Sequence, residues 1–545
     1  MPASLAQRLF GLGGGARRIA FRPEPARIGD AAAARRMLGG RWRLAGAELR
    51  IPAEAGPWRI QPPTPAAAER LHGFAWLADL AAAGTRDARR AAQDWTFGWI
   101  ARHGAPEGAD WAGPLAGRRV SNWLRHADLI LAGDDPELAR TLAASLEAHA
   151  RRLRRARGEG PTGLARLETA LGELHVELAL HAGERRRRRA AEAFAGAAAA
   201  EIDADGGLVS RNPEALAEAL HVLALGARDL DALALGVPRP LGAALDRAQA
   251  AVRALRMRDG ALPRFHGGGP GEPGRLDRTL ALVHPRHGAP RRDAAMGFRR
   301  LAAGRATVVI DAAPPPPGPE AHAATLAFEF AFGARRIVAN CGPGARFGGD
   351  WAAACRATAA QSTLALAGLS SARIAADSRG PGPHPFVRAP KAVEAETAED
   401  VEGHWFQGAH DGWLESHGLL HRRRLYLSLD GRDFRGEDAL EPPDAAASDR
   451  LARALDRVDG RLGFALRFHL PPEVAETARE ETGGTVLLDL PEGPWRFGAD
   501  AGAARLVESV AFDPEAPDPL PTAQILVTGD VGATRARLAW GFQRL

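Results

Sequence analysis

Apolar positions along this chain recur with two different periods. From residue 71 to about 258 they return at helical spacing. Leu71, Phe74, Leu77, Ala78 and Ala81 share one face, and the next segment, 88–102, carries Trp95 and Trp99. Val120-Ser-Asn122-Trp123-Leu124 opens a third. Asp135-Pro136 and Asn212-Pro213 each set a capping acceptor before a proline at the first helical position. A last helix is predicted over 241–257. Helices joined by short Gly/Pro turns stack as antiparallel hairpins, giving a curved α/α toroid or an irregular bundle. From Phe298 the period falls to two. Strands are predicted over 306–310, 325–332, 336–340, 362–367, 422–429, 464–470, 485–490 and 523–529, enough for a large antiparallel β-sandwich. The organisation expected is a mixed segment at 1–70 with short strand-like pieces at 41–45 and 58–61, a helical domain at 71–260, a linker at 261–297 and the sandwich at 298–545.

Composition narrows the class. A chain of 545 residues, 46% hydrophobic and 25% charged, is globular and long enough for two or three cores. No apolar run approaches the length of a membrane span. The segment up to Arg18 has glycines where a signal peptide needs an apolar stretch, so a cytoplasmic location is expected. Lys391 is the only lysine among 71 basic residues, set against 66 acidic ones. The two signs are interspersed, so a pI near 10.1 does not make a nucleic-acid surface. The run Arg185 to Arg189 is expected to be a solvated helix start. Arginine in excess suits carboxylate or sulfate, whose geometry matches the guanidinium fork. Cys341 and Cys355 are too few for a disulfide framework and are expected to be buried.

Ordered segments of the second half carry chemistry. They are Glu320-Ala-His322 leading to Arg335 and Asn340-Cys-Gly342, then Arg356-Ala-Thr-Ala-Ala-Gln361-Ser-Thr. His410-Asp-Gly-Trp413, His421-Arg-Arg-Arg-Leu-Tyr426, Gly436-Glu-Asp438, Arg467-Phe-His469 and Trp495-Arg-Phe497 follow. With Val120-Ser-Asn-Trp123 and the 205–213 segment ahead of them, they resemble the proteobacterial branch of the heparinase II/III family. The resemblance implies a helical toroid followed by a β-sandwich, cleavage of uronic-acid polysaccharides by β-elimination, an anionic polysaccharide partner and a place in the cell envelope. It implies an Asn or His and a Tyr from the helical domain, and a sandwich histidine, as the group that neutralises the uronate and the acid/base pair. It also implies, where present, a metal held by His and Asp.

The residues depart from that pattern. The catalytic histidine position holds Glu320, with His322 in the ligand position. The ligand aspartate falls at Asn340 and a further histidine at Gln361. The tyrosine position falls near Ala215, and Tyr426 is the only tyrosine. One histidine with two amides is a poor zinc set, so no bound metal or other cofactor is expected. The candidate catalytic residues are His322, Glu320, Asn122 (with His126 one turn on), His410 and His421. Trp413, Arg422, Arg356 and Arg211 are candidates for substrate binding. A lyase with a rearranged acid/base set is the leading expectation. A catalytically inactive glycan-binding or scaffold protein of the same fold is the alternative, and nucleic-acid binding has least support.

Overall fold

The computed structural model describes residues 19–52, 56–133, 135–180, 183–283, 294–374 and 384–545. The stretch up to Arg18, read for a signal peptide, lies outside them. Among the described residues no helix is long and apolar enough to cross a membrane. Those of Met1–Ala204, Glu218–Ala248 and Asp277–Arg286 pack as one compact unit. Those of Asp205–Ala217, Gln249–Leu276 and His287–Leu545 pack as a second.

The first unit is built from helices. Arg86–His103 starts on the Thr85 hydroxyl, which accepts the Ala88 N–H at 3.1 Å, and Pro136–Gly158 starts on Asp135 as predicted. The face at 71–81 is divided between two helices, Pro65–His72 and Leu77–Ala83. Phe74 breaks them at φ 62°, its ring fully buried against Trp58, Trp76 and Trp123. Trp58, predicted extended, instead sits in a tight turn, Pro57–Arg59, that turns its ring inward. The five arginines open the helix Glu184–Glu201 with Arg186 on Glu177 and Arg188 on Glu184.

Helices Gly113–Arg125 and Gly163–Leu180 meet backbone to backbone. A Cβ on Gly172 would stand 2.4 Å from the Gly117 Cα. Beside this crossing Ser121 Oγ lies 2.8 Å from His175 Nδ1, and His175 Nε2 lies 2.9 Å from an Asp229 oxygen that also takes Arg125 at 2.7 Å. Burial would raise the Asp229 carboxyl. The His175 hydrogen bond and the charges of His175, Arg125 and Arg228 outweigh it and hold the group at about 2. Ser121 donates to Gly117 O, and the line is sealed from solvent, so it ties helices together.

The second unit is a sandwich. A five-stranded antiparallel meander runs through Phe298–Ala303, Ala306–Asp311, Phe328–Phe332 and Arg335–Val338. An eight-stranded sheet has Leu419–Ser428, Asp433–Glu441 and Ala536–Arg544 side by side, and a four-stranded sheet contains Leu462–His469. Ala306–Asp311 is buried at every position, which explains its unbroken apolar run. Phe328 packs on Phe434 and Trp540, and Phe468 on Trp540 and Phe497, closing the core between sheets.

The strand predicted over 325–332 begins only at Phe328. Leu326 stands at φ 65° and donates its N–H to Asp311 O, so the chain arrives at the strand through a turn. Glu320 and His322 are therefore on a loop that follows Pro314 to Pro317. Residues 205–217 and 249–276 also pack in this unit, which brings Arg211 and a glycine-rich loop to the same place.

Candidate functional site

The loop carrying His322 is fixed by hydrogen bonds to the glycine-rich loop. The Gly267 N–H donates to His322 Nε2 at 3.1 Å, and the His322 N–H donates to His266 Nδ1 at 3.2 Å. With Nε2 accepting, the neutral ring carries its proton on Nδ1, which faces the Gln361 side chain. Gln361 in turn donates to Cys355 O at 2.8 Å. His322 is 1% exposed, and burial, with His266 and Arg356 nearby, lowers its pKa to about 3. His266 Nε2 lies 3.1 Å from Asp311. Arg211, at φ 52°, bonds the same carboxylate and donates to Met296 O and Pro314 O, both at 2.6 Å. Its donors are thus spent on protein acceptors. Arg211 acts here by holding Asp311, and through it His266.

Glu320 stands exposed two residues before His322, packed on Gly267. A Cβ at Gly267, already at φ 81°, would meet the Glu320 Cβ at 2.9 Å. Desolvation raises the Glu320 carboxyl and the Arg356 charge opposes it. Arg356 is 2% exposed and donates to Ala321 O and His384 O.

The positions that would hold a family metal are closed by neutral amides. Asn340 Oδ1 accepts the Ser362 N–H at 2.8 Å, Gln361 is bonded to Cys355, and His322 Nε2 is taken by Gly267. Gln361 donates to Cys355 and keeps its amide oxygen, but one neutral oxygen does not hold a divalent cation, which needs several anionic or imidazole ligands. In the first unit His72, His103 and Asp110 bring ligand atoms within 4.8 Å of one another. There His72 Nδ1 accepts the Trp99 indole N–H at 3.0 Å and His103 Nδ1 lies 2.7 Å from Asp110. His72 keeps its ring proton on Nε2, where a metal would have to bind.

His410 and His421, predicted at a cleft, lie inside the sandwich, 1% and 0% exposed. They face one another across adjacent strands in a single line of hydrogen bonds. Gly412 N–H donates to His410 Nδ1 at 3.1 Å, His410 Nε2 meets His421 Nδ1 at 3.1 Å, and His421 Nε2 meets Asp438 at 2.6 Å. Arg423 grips Asp438 with two nitrogens and Trp540 completes it at 2.8 Å. Burial lowers both imidazoles, against the pull of Asp438 on His421. Arg422, on the opposite face, pairs with Glu441 at 2.6 Å. Asn122, in the first unit, donates to Gly73 O at 2.7 Å, and burial lowers neighbouring His126 to about 4.

Of the predicted residues, the structure gathers Glu320, His322, Arg356 and Arg211 in one region. Arg356 also lines a cavity with Trp413. His266, Gly267 and Asp311 were not singled out from the sequence. The signal is present in His266-Gly-Gly-Gly, a histidine ahead of glycines, but it falls within 261–297, where the sequence predicts a linker.

Comparison with known proteins places this geometry. The model of the heparinase II/III-like C-terminal domain matches residues 286–541. The crystal structure of heparinase III superposes with a TM-score of 0.72 at 12% identity, over 99% of this chain and 88% of that one. A mutant of heparan sulfate lyase HepC from Pedobacter heparinus gives 0.60 at 13% identity, over 94% and 82%. The fold is thus the expected α/α toroid followed by an antiparallel β-sandwich. FtsZ-localized protein C of Caulobacter vibrioides is 33% identical over 515 residues, 91% of this chain and 85% of the relative. With a relative that similar along most of its length and the lyase fold throughout, the chain belongs to the heparinase II/III family.

Proposed function

We propose that this chain binds an anionic glycan without cleaving it, and that it localises with FtsZ, as the name of its Caulobacter relative says of that protein. The observation that carries the reading is the closure of His322. A general base needs a free lone pair and a pKa near the working pH. His322 has its lone pair on Gly267, its pKa near 3 and no open surface. The two other candidate histidines of the sandwich, His410 and His421, are consumed in the Asp438 line.

One feature favours a lyase instead. Glu320 is exposed beside Arg356 with its carboxyl raised by desolvation, which suits a base. The two readings separate in an elimination assay on heparin, heparan, chondroitin, alginate and uronate-containing exopolysaccharides, following ultraviolet absorbance of the unsaturated product. Silence with retained binding to at least one polymer is expected. A rise in absorbance that Glu320→Gln abolishes would establish the lyase. Fluorescent fusions expressed with labelled FtsZ test the second half of the reading, and a diffuse signal independent of FtsZ would count against it.

A further inference from the structure

The sandwich unit contains a cavity of about 370 Å³ whose wall shares Arg356 with the His322 loop. Arg356, Arg373, Arg388, Ser370, Phe386 and Trp413 are in its wall, and none of the described lining residues is acidic. We infer that it is a binding site for a small oxyanion-bearing ligand, a uronate-sized acid; this rests on the glycan-binding reading only for the identity of the natural ligand.

Two buried donors in its wall residues have no acceptor among the described residues. Arg356 uses Nε on Ala321 O at 2.8 Å and Nη1 on His384 O at 2.7 Å, which holds its guanidinium 4.8 Å from the Phe386 ring centre. Its Nη2 is left without a hydrogen bond among the described residues, in a side chain 2% exposed. Trp413, 1% exposed, leaves its indole N–H in the same condition. Buried N–H groups are nearly always paired, and an oxyanion held by the arginines of the wall is the acceptor type that such donors take. Ser370 Oγ accepts the Thr358 N–H at 3.0 Å, so its own proton is available to a ligand. Glu415 meets Arg388 at 3.4 Å and is 81% exposed, so an incoming anion displaces it cheaply. The volume is at the small end for ligand pockets, roughly 300–1,000 Å³, which favours a single sugar acid over a length of polymer.

The test is isothermal titration of the full chain with sodium glucuronate, inorganic sulfate, inorganic phosphate and, as neutral control, glucose. Saturable binding of glucuronate, absent with glucose, is expected. Arg373→Ala and Arg388→Ala, both at the wall's accessible side, should each weaken it roughly tenfold with unchanged melting temperature. Trp413→Phe, which keeps the ring and removes the N–H, should weaken it several-fold. Preference for sulfate or phosphate over glucuronate would keep the anion site and overturn the uronate assignment. No heat above the glucose control for any anion, or an affinity in both arginine variants equal to that of the unaltered chain, would overturn the inference. Polymer binding by the same variants separates the two proposals. Polymer retained where no small anion binds leaves the glycan reading standing and removes this pocket; glucuronate bound without any polymer does the reverse.

Discussion

Asp438 accepts four hydrogen bonds, from His421, Arg423 twice and Trp540, where no solvent reaches. Removing its charge leaves Arg423 buried without a counter-ion, so Asp438→Asn should cost about 3–5 kcal/mol. Urea denaturation of the two proteins measures it, and a loss below about 1 kcal/mol would contradict the assigned charge pairing. His410, His421 and Asp438 all stood out in the sequence, but as chemistry-bearing residues. Their mutual neutralisation depends on strand register, His410 opposite His421 and Arg423 opposite Asp438, which no residue pattern displays. Gly267 gives a second case. Alanine there would adopt φ 81° and crowd the Glu320 Cβ, so Gly267→Ala should cost roughly 1–2 kcal/mol for the backbone alone. A melting curve reads it, with an unchanged melting temperature the contrary result.

Between elements, the crossing of Gly113–Arg125 and Gly163–Leu180 shows two effects of opposite sign. Alanine is worth up to about 1 kcal/mol over glycine in a helix interior. At Gly172 its methyl would meet the backbone of Gly117 at 2.4 Å, where nothing flexible can yield. Overpacking of that kind costs about 1–3 kcal/mol, so Gly172→Ala should destabilise despite the better propensity. Gly196, with open space around its Cβ position, is the control and should gain. The helices themselves were legible from period and caps, because those are local properties. Which glycine touches which was not, since it depends on the packing partner. The strand predicted over 325–332 starts late for a related reason: alternation continues through Thr325 and Leu326, where Leu326 turns through positive φ.

For the whole molecule, buried histidines set the response to acid. Burial holds His72, His126 and His469 at about 4 and His322 at about 3, against 6.5 when free. Between those values the unfolded chain binds more protons than the folded one, so stability present above about 6.5 drains away as pH falls through the window. Asp229, at about 2 against 3.8, adds a second loss below 3.8. The melting temperature should therefore drop steadily from about pH 7 to about pH 5, and a flat profile would contradict the neutral buried state. The fold class was legible at this scale because motif order along the chain is specific. The path of the chain between the two units was not, because contiguous stretches were taken for contiguous bodies.

That path sets a limit on dissection. A single cut ahead of the residues matched as the C-terminal domain, 286–541, would sever Arg211 and His266 from Asp311. The orphaned carboxylate would then sit in an apolar wall whose remaining strands have lost their cover. Such a truncated product should collect in inclusion bodies, whereas adding 205–217 and 249–276 in trans would supply the missing counter-charges. The sandwich is one structure assembled from three separated passages of sequence, and it can be inherited or transplanted only with all of them.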